Sequence, residues 1–317
     1  MSKFAANAIT YSPAYTIVPT YECFNHCSYC NFRRDPGESP WLGLTEAQGI
    51  LRSLPSSSIT EILILSGEVH PQSALRGAWF DLIYKLCELS LSEGFMPHTN
   101  AGILSFEEMQ QLKQVNGSMG LMLEQVTPSL LKTVHRRAPS KVPQLRLQQL
   151  EWAGQLRIPW TTGLLLGIGE TQQDREATLK AIAQLHQTWG HIQEVILQPH
   201  SPGSQQDYFA GTLSRDRLLE IIRLARSILP PEITLQIPPN LVAEPTYLLA
   251  CLEAGARDLG GISPKDEVNP DYPHPTPQKL EHILRGTSWQ LTPRLPVYPQ
   301  YYDWLSPKIQ KQWNSKL

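Results

Sequence analysis

Short apolar runs alternate with stretches of helical period along most of the 317-residue chain. Apolar or alternating runs bounded by turn residues predict strands at 15–19 (YTIVP), 61–66 (EILILS), 95–100 (FMPHTN) and 118–124 (SMGLMLE). Four more follow at 159–167 (PWTTGLLLG), 192–199 (IQEVILQP), 233–238 (ITLQIP) and 257–261 (RDLGG). Between them, apolar residues three and four apart predict helices over 45–54, 75–94, 105–115, 145–156, 174–190, 214–229 and 245–255. Alternation of this kind implies parallel strands joined by crossover helices. Eight strands over about 250 residues have the dimensions of a (β/α)8 TIM-type barrel.

Local signals agree with this pattern. Thr171 followed by Asp174 resembles a capping box ahead of the apolar face of Leu179, Ile182 and Ala183. Gly94 and Gly190 stand where helices need a left-handed terminator. From about residue 263 the chain becomes rich in proline, which predicts a wrap of loops and a short helix around the barrel. No repeat, low-complexity segment or linker divides the sequence, so residues 1–317 are read as one domain.

Composition narrows the class. A formal net charge of -2 leaves no electrostatic footprint for nucleic acid or an anionic membrane. No apolar run reaches the ~20 residues of a spanning helix, and MSKFAANAIT lacks the charged and apolar regions of a signal peptide. The expectation is a cytoplasmic protein.

The 5 cysteines are too few, and odd in number, for a disulfide framework in a chain of this size. Cys87 and Cys251 sit in apolar helical stretches and read as buried small hydrophobes. Cys23, Cys27 and Cys30, in YECFNHCSYCNFR, read differently. On a barrel they lie in the loop after the first strand, at the C-terminal mouth where barrel enzymes place their chemistry. Three thiolates there can hold three irons of a 4Fe-4S cluster and leave the fourth iron open. A zinc site would need a fourth ligand, and no second Cys/His pair follows at zinc-finger spacing, although His26 lies between the cysteines. A redox dithiol through Cys27 and Cys30 would leave Cys23 redundant, and buried structural thiols do not suit so polar a stretch. Gly167-Ile-Gly169 is not a dinucleotide fingerprint, since position 172 is Gln and strand five precedes it.

The C-x3-C-x-aromatic-C array, with Tyr29 as the aromatic, resembles the signature of the radical S-adenosylmethionine superfamily. The resemblance implies a cluster with three cysteine ligands whose open iron chelates S-adenosylmethionine. It also implies that one electron cleaves that cofactor to a 5′-deoxyadenosyl radical. LILSGE resembles the second-strand motif, in which Gly67 and Glu68 meet the methionine amino group. GLLLGIGE, containing Gly167 and Glu170, resembles the fifth-strand segment near the adenine. Arg146 occupies the place of an arginine that pairs with the methionine carboxylate, and Glu124 that of a polar residue facing the ribose. By the residues alone, Arg146 reads equally well as a solvent-facing helix residue.

ITYSPAYTIVPTYECFNHCSYCNFR, PHTNAG, MGLMLE, AGQLRIPWTTGLLLGIGET, HIQEVILQP, IPPNL and DLGGISPKDEVNP together resemble the deazaflavin (FO) synthase family over about residues 9–299. SGEVHP departs in its Val-His. The family implies a small-molecule substrate, the adduct of tyrosine with 5-amino-6-ribitylaminouracil, made by a sister subunit that is a separate chain here. A 5′-deoxyadenosyl radical then drives ring closure and loss of ammonia to the 8-hydroxy-5-deazaflavin, as in a lyase. An electron donor such as flavodoxin or ferredoxin is implied too. His70, His98, Asn100, Gln198, His200 and Asn240 are candidate polar groups for the substrate, with Tyr29, Met122 and Trp160 as candidate walls. The catalytic base is unassigned, and HRRAPSK (135–141) reads as a solvated loop able to close over the adenosyl group. The rivals are the sister tyrosine-adduct synthase, a biotin-synthase-like enzyme needing a second cluster, and a non-catalytic iron–sulfur or zinc protein.

Overall fold

A computed structural model of the chain describes residues 4–206 and 213–313; the first and last few positions of the 1–317 span lie outside them. Eight strands run in chain order around a closed parallel barrel: β1 (Ala8–Ile17), β2 (Glu61–Leu65), β3 (Met96–Asn100), β4 (Ser118–Gly120), β5 (Trp160–Leu166), β6 (Ile192–Pro199), β7 (Thr234–Gln236) and β8 (Asp258–Ile262). Closure falls to β1, which pairs in parallel with β8 through its middle and with β2 through Ala14–Ile17. Helices α1 (Leu44–Ser53), α2 (Arg76–Ser92), α3 (Phe106–Leu112), α4 (Pro143–Gln155), α5 (Gln172–Trp189), α6 (Arg215–Ile228) and α7 (Pro245–Ala254) follow the first seven strands. The fold is the (β/α)8 barrel that the alternation implies.

Side chains alternate across each strand. Glu61, Leu63 and Leu65 of β2 line the lumen, whereas Ile62 and Ile64 are buried in the layer shared with Trp79 and Ile83 of α2. On β5, Thr161 faces inward, and Trp160 with Leu164 fills the outer core. Trp160 therefore walls no substrate site. Its odd-even place in the strand aims it at the helices.

Two strands have a boundary that shifts by more than two residues. The first strand starts at Ala8, not 15, because Pro13 interrupts its apolar pattern without interrupting its pairing with Ile262. The fourth ends at Gly120, since the chain bends away before Glu124, a non-glycine residue at φ 64.

The tail contains more structure than loops and one helix. α8 (Pro277–Leu284) leads to β9 (Gln290–Pro293), which pairs in parallel with Ala8–Tyr11, and a 3-10 turn (Pro299–Trp304) and α9 (Pro307–Trp313) follow. Pro277, Pro299 and Pro307 each stand at the first position of a helical element, where the missing N–H costs nothing. They start structure there instead of breaking it.

Thr171 and Asp174 form the expected reciprocal box: the Thr171 hydroxyl accepts from the Asp174 amide at 3.2 Å, and the Asp174 carboxylate from the Thr171 amide at 2.7 Å. Gly190 ends α5 at φ 67. The variant Thr171→Ala is expected to lose about 1 kcal/mol of stability, read by urea denaturation, with cofactor binding untouched. A loss below roughly 0.3 kcal/mol would show that the cap contributes little.

Candidate active site

From Val18 to Gly43 the chain crosses the C-terminal mouth of the barrel, and Cys23, Cys27 and Cys30 lie on this crossing with free thiols. Backbone bonds fasten the loop on several sides. Phe24 N–H donates to Glu68 O at 3.0 Å, Gly67 N–H to Thr20 O at 2.8 Å, His26 N–H to Arg137 O at 2.7 Å and Ser28 N–H to Val134 O at 3.1 Å. Glu22 folds the loop onto itself, its carboxylate accepting from the amides of Gly37 and Ser39 and from the Trp41 indole. Burial opposes that charge, but these donors hold the Glu22 carboxyl below its ordinary range. Gly67 has a steric reason to be glycine. A Cβ there would stand 2.1 Å from the Glu22 carbonyl oxygen.

Burial pushes the Cys23 thiol up to about 11 and the Cys27 thiol up to about 12. Such thiols stay protonated at neutral pH until a bound cation replaces the proton. Among the described residues, no group of three or more His, Cys, Asp or Glu side chains gathers closely enough to hold one metal ion. Three thiols spaced along a loop suit a cluster whose ligands bind separate irons. The residues fit a 4Fe-4S cluster.

Beneath the loop lies a cavity of about 320 Å³ lined by Tyr29, Cys30, Glu68, Glu124, Lys141 and Arg146, among others. Arg146 is 2% exposed, so the solvent-facing alternative is excluded. Its guanidinium donates to Glu68 Oε1 at 3.3 Å, to Ser140 O at 3.1 Å and to Met122 O at 2.5 Å. Glu68 and Arg146 thus present a matched pair of charges. Gly102 makes room for it, since a Cβ there would meet Glu68 Cγ at 2.1 Å.

Glu124 pairs with Lys141 Nζ at 2.5 Å. Burial opposes the Glu124 charge, yet Lys141 and Arg146 together keep its carboxyl below the usual range. A non-glycine residue at positive φ is strained, and such residues collect at functional sites. The Tyr29 hydroxyl pairs with His135 Nε2 at 2.8 Å, and burial followed by Lys141 pushes His135 down to about 4. That imidazole is neutral at physiological pH. Within HRRAPSK, His135, Ala138 and Ser140 are buried and Lys141 pairs with Glu124, while Arg136, Arg137 and Pro139 are exposed, so one side of the segment packs into the site and the other is solvated. Its irregular backbone carries no periodicity from which burial could be read.

Gly167 and Glu170 stand behind the cavity. The Glu170 carboxylate accepts from the amides of Gly167 and Ile168, both at 2.8 Å, and pairs with Arg175. It fixes the turn at the end of β5, with Gly167 at φ 91. Among the substrate candidates, His98, Asn100, Met122 and Gln198 line the lumen, and His200 lines its upper part. His70 is exposed against Phe24. Asn240 instead binds Asp266 and the Tyr272 carbonyl, anchoring segment 263–274 over the mouth. Cys87 and Cys251 are buried on α2 and α7, away from the lumen.

Comparisons with known proteins agree with this construction. Residues 17–182 match the model of the Radical SAM superfamily. The chain is 66% identical to the 7,8-didemethyl-8-hydroxy-5-deazariboflavin synthase of Trichormus variabilis, over 98% of this chain and 91% of that protein. It is 61% identical to the protein of that name from Synechocystis, over 96% and 97% respectively. Among solved structures, the FeFe-hydrogenase maturase HydG from Carboxydothermus hydrogenoformans superposes with a TM-score of 0.76 at 18% identity, over 98% of this chain and 77% of that one. A cysteine-bearing loop over a closed parallel barrel, together with these matches, makes the chain a member of the radical S-adenosylmethionine superfamily. Within it, the chain belongs to the family of 7,8-didemethyl-8-hydroxy-5-deazariboflavin synthases. Among the described residues no helix is long and apolar enough to cross a membrane.

Proposed function

We propose that this enzyme converts the tyrosine–5-amino-6-ribitylaminouracil adduct to 7,8-didemethyl-8-hydroxy-5-deazariboflavin with loss of ammonia, an ammonia-lyase type of reaction. The observation that carries this reading is 66% identity over 98% of the chain to a relative named for that product. When bound, the cluster and S-adenosylmethionine supply a 5′-deoxyadenosyl radical. Cys23, Cys27 and Cys30 hold the cluster, and the packed loop around them shields it from water. Glu68 and Arg146 take the amino and carboxylate ends of the methionyl group, a zwitterion meeting a zwitterion at 3.3 Å separation of its charges. Tyr29 and Glu124 face the adenosyl side of the same cavity, while Glu170 keeps the Gly167 turn in shape behind it.

Nothing favours the sister tyrosine-adduct reaction or a second cluster, since Cys87 and Cys251 are helical and remote from the lumen. In the cell the chain would take its substrate from a separate sister subunit and its electron from flavodoxin or ferredoxin, in the cytoplasm. The test is an anaerobic assay of cluster-loaded protein with S-adenosylmethionine, dithionite and the adduct, followed by mass spectrometry. Deoxyadenosine with deazaflavin is the expected result. Deoxyadenosine alone would refute the substrate, and neither product would refute the enzyme.

A further inference from the structure

Beside the cofactor cavity a second space of about 170 Å³ runs from segment 263–274 at the mouth down the barrel lumen, and its lower part has a different chemistry. The two spaces share lining residues, Asn100 and Gln198 among them, so they form one shaft. Among the described residues neither side-chain amide has a hydrogen-bonding partner, although each projects from the C-terminal end of its strand, β3 or β6. Two residues further down β3 stands His98, about 7 Å deeper. Below that, on the first and third residues of β2 and β6, stand Glu61 and Glu194.

The protonation of His98 follows from its neighbours. Ser118 Oγ lies 2.6 Å from His98 Nδ1 and 2.6 Å from the Pro296 carbonyl oxygen. A carbonyl only accepts, so the single hydroxyl proton goes to Pro296, and His98 Nδ1 must carry the hydrogen donated to Ser118. His98 Nε2 is then a bare lone pair. It points across Gly120, lying 3.0 Å from where a Cβ would stand. Burial, with Arg294 nearby, pushes this imidazole down to about 3, so the acceptor persists throughout the physiological range. Glu61 adds its carboxyl oxygens to the same wall, with the Ser12 hydroxyl beside them and Arg294 and Asp258 close by. Arg294 is already engaged by Asp258, Glu194 and Leu295 O. The lower shaft therefore offers acceptors, and among the described residues that line it no cationic side chain is free to satisfy them.

A ligand for such a space must bring several hydroxyl donors and no net negative charge. We propose that the lower shaft is a polyol subsite, in which Glu61 and His98 Nε2 accept hydrogen bonds from the hydroxyls of the substrate's ribityl chain. Asn100 and Gln198 meet the pyrimidine edge one level higher. The proposal rests on the substrate assigned above and fixes its direction: the ribityl chain enters first, and the reacting carbon stays at the level of the cofactor cavity.

The experiment is a fluorescence titration of cluster-loaded protein with two ligands, the ribityl deazaflavin product and its counterpart carrying a methyl group in place of the ribityl chain. Wild type is expected to bind the ribityl compound at least about 10-fold more tightly, as one or two good hydrogen bonds allow. The variants His98→Leu and Glu61→Leu should each lose most of that preference while binding the methyl compound as wild type does. His98→Gln, which restores an acceptor near the Nε2 position, should recover part of it. Melting curves report whether each variant is folded; if a leucine variant is not, His98→Gln and Glu61→Gln carry the comparison, with a smaller loss of preference. Should wild type bind both compounds equally, or should folded variants lose affinity for both alike, the polyol subsite is wrong while the assigned reaction stands. Should wild type bind neither and form no deazaflavin, the assigned substrate falls, and the subsite with it.

Discussion

Cys27→Ala is expected to abolish deoxyadenosine formation, down to the level of a protein-free control, and to strip most iron from the reconstituted chain. Cys27 is the most buried of the three loop thiols, and burial raises its pKa to about 12. On the proposed ligation, removing it takes away one of three ligands, with no fourth cysteine within the loop to replace it. The apoprotein should lose only about 1 kcal/mol, the cost of a small buried group. Cys251→Ala is the matched control. That thiol is also buried but sits on α7, and its loss should cost similar stability with iron content and turnover retained. Iron analysis, visible absorption and product assay on the pair decide the matter. Equal iron loss in both variants would mean that folding, not ligation, underlies the effect.

The contrast between these two cysteines also shows what the sequence could convey. Three thiols in a polar stretch after a strand imply metal chemistry because burial alone would not place them there, whereas Cys87 and Cys251 carry apolar helical neighbours. Strand alternation likewise made the barrel legible, since each crossover helix buries one face against the sheet. Ion pairs across the site were not legible. Glu68 and Arg146 are separated by 78 positions, and only closure of the barrel brings them to 3.3 Å. Trp160 shows the limit on single residues: an aromatic at a strand start can face lumen or helices, and a one-residue change of register decides which. His135 and Lys141 escaped for another reason, because a partly buried irregular loop has no period.

Arg294→Met is expected to destabilise the protein by about 3–5 kcal/mol, the range seen when one member of a buried ion network is removed. The sequence hid this residue in a proline-rich tail. β9 pairs with the start of β1, and Arg294, directly after it, donates its backbone N–H to Tyr11 O at 2.8 Å. The side chain thereby passes under the barrel floor. There its guanidinium reaches Asp258 Oδ2 at 2.6 Å and Glu194 Oε1 at 2.8 Å, with Tyr298 Oη 3.0 Å from the same Asp258 oxygen. Three carboxyl groups, Glu61, Glu194 and Asp258, share this one cation. Burial opposes ionisation of all three, and Arg294 wins only at Asp258, whose carboxyl is held below its ordinary range. Burial raises Glu61, and burial together with the neighbouring Asp258 lifts Glu194 well above its usual value despite Arg294.

The sign of the pH dependence follows. The lowered Asp258 pKa contributes stability above the carboxyl's unfolded value, and that contribution is lost as pH falls through the folded value. In Arg294→Met no cation opposes burial, so the Asp258 pKa rises above its unfolded value. The variant must then hold an extra proton to stay folded, which costs progressively more as pH rises. The gap between wild type and variant should therefore be widest near pH 8 and narrow toward pH 5. Urea denaturation at both values measures it, and Asp258→Asn added to Arg294→Met should restore part of the loss by removing the stranded charge. A gap of the same size at pH 5 and pH 8 would mean that lost packing of the long side chain, not the carboxylates it neutralises, accounts for the effect.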